Sequence, residues 1–135
     1  MINQFFNKQF AVFLLAGGIA AGINFGSRFI YSIFFDFNTS ILFSFFTGLI
    51  CGYILNKMIV FKGSGNPKAK EIWYYIVVNG LALAQTWIIT LLTANVILID
   101  LESKDNREAI AHLAGVVFPV FSSYLGHKYF TFRSL

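Results

Sequence analysis

Three basic side chains, Arg28, Lys57 and Lys128, stand inside long apolar runs of this sequence. A charge near the centre of a membrane-spanning helix costs at least about 2.5–3.5 kcal/mol on insertion scales, so it faces a partner, a wet cavity or a surface within its reach. An ammonium is a compact point-charge partner for phosphate, and a guanidinium is a forked one. Asn24 lies one helical turn before Arg28 on the same face. Asn56 directly precedes Lys57, and His127 directly precedes Lys128. Such amide and imidazole groups can hydrogen-bond phosphate oxygens or hydroxyls. Asn79, Gln85 and Ser123 add further polar groups to the apolar runs of the second half. Each of these residues also has a plainer reading. Long basic side chains snorkel to the headgroups and anchor helix ends, and amides in lipid bond neighbouring helices.

Catalytic chemistry finds little material. No pair of carboxylates at a membrane boundary has a spacing useful for acid–base work. His112 and His127 fall near opposite membrane faces and cannot share a metal, and no glycine-rich phosphate loop precedes a soluble helix. The expectation is a protein that is not an enzyme and that carries no cofactor or metal. A proton-coupled exporter would want a carboxylate in mid-span, and the sequence places none there.

The elements that must position these residues follow from composition. The 135 residues are 57% hydrophobic and 12% charged, against about 25% charged in an average globular domain. Charges cluster at Lys8, between Lys57 and Glu71, between Asp100 and Glu108, and at Lys128 and Arg133, with Arg28 and Asp36 apart. The segments between are long enough to cross a bilayer, which takes about 20 residues. Spans are predicted over about 9–35, 40–61, 72–99 and 109–132. In lipid each span must satisfy its own backbone groups, so these are helices. The fold class is an all-α integral membrane protein forming a single transmembrane domain.

Lys8 followed by "FAVFLLAGGIAAG" has the look of a signal peptide, but the apolar run continues well past any cleavage site. Lys8, Lys62, Lys68, Lys70 and Arg133 fall on one side if the spans alternate, while Asp36 and the acid-rich "DLESKDNRE" fall on the other. The positive-inside bias puts both termini in the cytoplasm. The net charge of +4 is thus a topology signal, and no basic face suits nucleic acid. Cys51 is a lone thiol inside the second span, read as a packing residue. Gly18, Gly22 and Gly26, and again Gly48 and Gly52, are spaced as packing devices for close helix approach. Pro119, with Ser122 and Ser123 after it, is expected to kink the fourth helix.

The chain also echoes itself. "YILNKMIVFK" (53–62) aligns with "YLGHKYFTFR" (124–133), matching Tyr53 to Tyr124, Lys57 to Lys128 and Phe61 to Phe132, while Asn24 falls near Gln85. Halves of about 1–62 and 72–133 then read as two parallel helical-hairpin repeats about an axis along the membrane normal. On that reading Lys57 and Lys128 converge near one mouth. Asn56 facing His127 across the alignment breaks the equivalence, and Arg28 has no obvious counterpart.

The run "GGIAAGINFGSRFIYS", with "NKMIVF" closing the second span and "SSYLGHKYFTF" closing the fourth, resembles the GtrA family over nearly the whole chain. The resemblance implies a multi-pass protein of the bacterial inner membrane. It implies a flippase moving polyprenyl-phosphate-linked sugar, such as undecaprenyl-phosphate-glucose, for surface polysaccharide glycosylation. In that role Arg28, Lys57 and Lys128 would hold the phosphate, while Asn24, Asn56, Asn79, Gln85, Ser123 and His127 would contact the sugar or line its path. A homodimer or larger assembly is compatible with four thin spans. The competing reading is a membrane anchor or scaffold that presents polyprenyl-phosphate lipid to a partner glycosyltransferase.

Overall fold

The computed structural model describes residue 3 and residues 5–134. Among them there are helices and no strand, and the chain divides into two units, Met1–Ser64 and Gly65–Leu135. Helix α1 runs Lys8–Tyr31 and α2 runs Phe37–Leu55, α2 extended by a π-helical turn over Asn56–Val60. In the second unit α3 runs Lys68–Leu92 with a π-helical turn over Thr93–Ile97. Helix α4 runs Lys104–Gly126 with a π-helical turn over His127–Thr131. Counting those turns, the continuous helices span 24, 24, 30 and 28 residues, all long and apolar enough to cross a membrane. At 1.5 Å per residue even 24 residues reach about 36 Å, beyond the roughly 30 Å hydrocarbon core.

The helix starts are written in short polar side chains outside the apolar runs. Asn7 accepts from Phe10 N at 2.8 Å, Asp36 from Thr39 N, and Ser103 from Asn106 N, each satisfying one of the donors a helix N-terminus leaves open. Pro67 precedes α3, where its missing N–H costs nothing. Helix α1 ends at Tyr31, short of residue 35, because the chain turns over 32–35 to bring Asp36 to the start of α2. Ile33, Phe34 and Phe35 in that turn are exposed, so an apolar pattern alone could not tell turn from helix.

Asp36 also gives a pH prediction. The Thr39 hydroxyl and N–H bonded to its carboxylate hold its pKa below the ordinary 3.8. A depressed folded pKa contributes stability above the unfolded value and loses it as pH falls through the folded one. Wild type should therefore melt above Asp36→Asn at pH 6, and the gap should close well below pH 3.8. A gap that persists in strong acid would show that the charge is not what caps α2.

Within each unit the helices pack along a row of buried residues. On α2 these are Ser40, Ser44, Gly48, Gly52 and Asn56, with Val60 next; on α4 they are Ala111, Gly115, Pro119, His127 and Thr131. The members fall at four-residue steps, with half-buried Ser123 filling the step between Pro119 and His127, which keeps them on one helix face. A Cβ on Gly48 would stand 2.7 Å from Asn24 Cβ and 3.2 Å from Ala20 O. A Cβ on Gly115 would collide with Thr90 Oγ1 and stand 2.7 Å from Thr86 O. The backbones of each pair approach as closely as those glycines allow. Gly18, Gly22 and Gly26 behave differently from the sequence expectation: each faces open space, with no atom within 4 Å of an added Cβ.

The units close in the same way at their π-helical turns. Phe61 N–H bonds Asn56 O at 2.7 Å, and Phe132 N–H bonds His127 O at 2.8 Å. Carbonyls left over by the helix end are taken by side-chain amides: Gln9 Nε2 donates to Val60 O at 3.2 Å, and Asn66 Nδ2 donates to Thr131 O at 2.9 Å. Ring contacts pin both ends, Phe13 to Phe61 at 6.1 Å and Tyr75 to Phe132 at 6.3 Å between centroids. Gly63, at φ 79°, lets the chain leave the first unit through a conformation that side chains disfavour.

Candidate functional site

In the first unit the two cations stand at opposite ends. Arg28, in the last turns of α1, lies beside the start of α2, with its guanidinium carbon 4.4 Å from the Phe29 ring, 5.4 Å from Phe37 and 5.7 Å from Phe25. No carboxylate forms an ion pair with it among the described residues. Ring faces attract a cation by about 0.5–2 kcal/mol each, but they take up none of its five N–H donors. Asn24, one turn earlier, packs its Cβ toward Gly48, and its amide makes no hydrogen bond among the described residues. Both residues therefore face α2, as their spacing predicts.

Lys57 is the second residue of its π-helical turn. Its ammonium lies 5.7 Å from the Tyr53 ring centroid and 3.5 Å from Tyr53 Oη. From Phe37, beside Arg28, to Lys57 is about 30 Å along α2 at helical rise. One phosphate cannot touch both cations, so a ligand using both must travel. Next to Lys57, Asn56 is buried and donates from Nδ2 to Gly52 O at 2.7 Å. Its Oδ1 is buried with no hydrogen-bond partner among the described residues. Thr90 Oγ1, against Gly115, shares that condition.

The second unit repeats the lysine and alters its neighbour. Lys128 is again second in its π-helical turn, 5.6 Å from the Tyr124 ring and 5.7 Å from Tyr129, with no carboxylate in ion-pair reach among the described residues. His127, where the first unit has Asn56, is 2% exposed and stacked on Tyr75 at 4.9 Å. Its Nδ1 lies 3.1 Å from Thr131 Oγ1. Thr131 occupies the place held by Val60 in the first unit, one turn beyond the site residue in each. That one exchange gives His127 a local partner and leaves Asn56 Oδ1 without one.

Gln85, Ser122 and Ser123 come together between α3 and α4 and line a cavity of about 470 Å³. Ser122 Oγ donates to Gln85 Oε1 at 2.6 Å and also lies 3.1 Å from Pro119 O. Asn79 is not in that lining; its Nδ2 donates to Tyr75 O at 2.8 Å, back along its own helix.

Two groups escaped the sequence reading. Ser40 and Ser44 are fully buried on α2 and donate to Asp36 O and Ile41 O, so the α2 seam carries polar side chains at Ser40, Ser44 and Asn56. Their four-residue spacing from Gly48 was the signal. Glu71 reads in sequence as part of the basic loop cluster, yet it is 1% exposed in the first turn of α3. Its place one turn before buried Tyr75 is what marks the inward face. A first-turn carboxylate also complements the helix dipole.

A family model described as GtrA/DPMS, transmembrane domain, matches residues 12–132. No curated protein and no solved structure matches the chain.

Proposed function

Because this chain belongs to the GtrA/DPMS transmembrane family, associated with lipid-linked sugar translocation, we propose that it moves a polyprenyl-phosphate-linked sugar between the leaflets of the bacterial inner membrane. The observation that carries the reading is Arg28. A structural arginine in a membrane span is paired with an acid or a row of carbonyls; this one is held by three ring faces, with no carboxylate on its donors among the described residues. A phosphate is the chemical complement of such a fork.

In this account the lipid tail stays in the bilayer while the phosphate and sugar follow a polar seam. Lys57 and Lys128, each carried by the π-helical turn of its own unit on the cytoplasmic side, receive phosphate. Such turns are rare and concentrate at functional sites. Arg28 holds the phosphate at the outer end of the first unit, about 30 Å from Lys57 along α2. Asn24, Asn56 and Asn79 contact the sugar or its path. His127 positions the turn that presents Lys128. The chain has no role for a nucleotide, so net movement runs down the gradient set by synthesis inside and consumption outside.

Asn56 supplies a test that separates function from folding. Its buried Oδ1 without a partner is the kind of group that costs stability, about 1–3 kcal/mol, and accepts a substrate hydroxyl. Asn56→Leu should leave the melting temperature unchanged or raised while cutting translocation at least about tenfold, the loss of one hydrogen bond to substrate and its register. A melting temperature several degrees lower, with transport intact, would make Asn56 a structural residue.

The lysines test translocation against the scaffold reading. Lys57→Gln with Lys128→Gln should trap lipid-linked sugar in the cytoplasmic leaflet and deplete the outer pool. A fall in total lipid-linked sugar with an unchanged distribution would instead favour a scaffold presenting lipid to a glycosyltransferase.

A further inference from the structure

The cavity between α3 and α4 is not built for a sugar. Its polar groups are few: the hydroxyls of Tyr74 and Tyr129 at one end, and Gln85 and Ser122, already bonded to each other, with Ser123 beside them. The rest of its wall comes from side chains such as Val77, Leu81, Leu125 and Phe130. A glycosyl head placed there would leave most of its hydroxyls without partners, at a cost of a few kcal/mol each. Its volume of about 470 Å³ lies within the roughly 300–1,000 Å³ of small-ligand sites. Its length is set by Tyr74 and Gln85, about 16 Å apart along α3, half the depth of a hydrocarbon core.

The back of this groove is closed and its rim is open. A Cβ on Gly126 would stand 3.0 Å from both Val78 methyls, so α3 and α4 meet there. Leu81, Tyr129 and Phe130 of the lining are exposed. At the end nearest the start of α3 the tyrosines of the lining each carry a cation. Lys70 Nζ lies 5.6 Å from the Tyr74 ring and Lys128 Nζ lies 5.7 Å from the Tyr129 ring. Neither ammonium has a carboxylate in ion-pair reach among the described residues. Two cations without a carboxylate partner among the described residues, flanking the mouth of an apolar groove, are the signature of an anionic amphiphile, its phosphate at the mouth and its chain inside.

We propose that the α3–α4 groove holds the first part of the isoprenoid chain of the substrate, with Lys70 and Lys128 gripping the phosphate. This rests on the lipid-phosphate substrate of the proposed function and assigns its tail a place; Lys70 joins the phosphate-binding residues. The groove end at Gln85 and Ser122 then marks where the chain must emerge into the bilayer.

The test is photolabelling of the full-length protein in lipid nanodiscs with diazirine-bearing farnesyl phosphate, farnesol and phosphatidic acid. Farnesyl phosphate should label peptides spanning 77–85 and 122–130. Lys70→Gln with Lys128→Gln should lower that labelling at least about tenfold and leave farnesol labelling unchanged. Ala82→Phe, which fills the groove, should lower labelling by both. Stronger labelling of the groove by phosphatidic acid would overturn the isoprenoid assignment in favour of an ordinary membrane lipid. Labelling by wild type outside these peptides would overturn the groove itself, whatever the variants do. The leaflet distribution of lipid-linked sugar is read separately in cells carrying Arg28→Gln. A groove that labels while that distribution stays unchanged fails the transport reading alone; a distribution that shifts while the groove stays dark fails the groove alone.

Discussion

Replacing Arg28 by glutamine is expected to empty the outer leaflet of lipid-linked sugar while leaving the protein folded. The guanidinium makes ring contacts with Phe25, Phe29 and Phe37, each of which contributes about 0.5–2 kcal/mol to stability. Removing a charge from a membrane span returns an amount of the same order, so the melting temperature should move little. Transport should fall at least about tenfold, because each charge-assisted hydrogen bond to phosphate is worth about 1.5–3 kcal/mol. Arg28→Lys keeps the charge and loses the fork, and should fall between the two. The measurement is leaflet-resolved quantification of lipid-linked sugar at matched membrane levels of protein. Wild-type distribution in Arg28→Gln would leave the arginine a headgroup anchor.

The second large effect is on stability and concerns glycine. Gly115→Ala should cost more than a typical overpacking substitution, about 1–3 kcal/mol, because its Cβ meets Thr90 Oγ1 and the Thr86 backbone carbonyl together. A carbonyl cannot rotate away as a side-chain end can. Gly48→Ala should be damaging for the same reason, through Asn24 and Ala20 O. Gly22→Ala is the internal control: its Cβ enters open space, and in a helix interior alanine gains about 0.5–1 kcal/mol over glycine. Thermal unfolding of the three purified variants should therefore order them with Gly22→Ala at or above wild type and Gly115→Ala lowest. Equal melting temperatures would refute the close approach of α3 and α4.

These contrasts show where sequence speaks and where it stops. Spans were legible because charge and apolarity separate cleanly, and lipid leaves helices as the way to satisfy the backbone. The inward faces of Asn24 and Arg28, and the like ends carrying Lys57 and Lys128, followed from periodicity and alignment. Other features depended on geometry that composition does not encode. Gly18, Gly22 and Gly26 have the same spacing as Gly48 and Gly52 but meet nothing among the described residues, since a row of glycines permits contact without specifying a neighbour. Glu71 reads as loop charge until Pro67 starts α3 early enough to turn it inward. The different fates of Asn56 and His127 are decided one turn away, at Val60 and Thr131, by whether a hydroxyl is within reach. The groove needed Gly126 against Val78, a contact between residues far apart in sequence.

Translocation itself is tested most directly with purified protein in liposomes. A short-chain polyprenyl-phosphate sugar is added to both leaflets, and the fraction reached by a membrane-impermeant sugar-oxidising reagent is followed over time. In vesicles holding the wild-type protein the whole lipid pool should become reachable without nucleotide, and vesicles holding Arg28→Gln should stop at the outer-leaflet fraction. Wild-type vesicles that also stop at that fraction, like protein-free ones, would contradict the account.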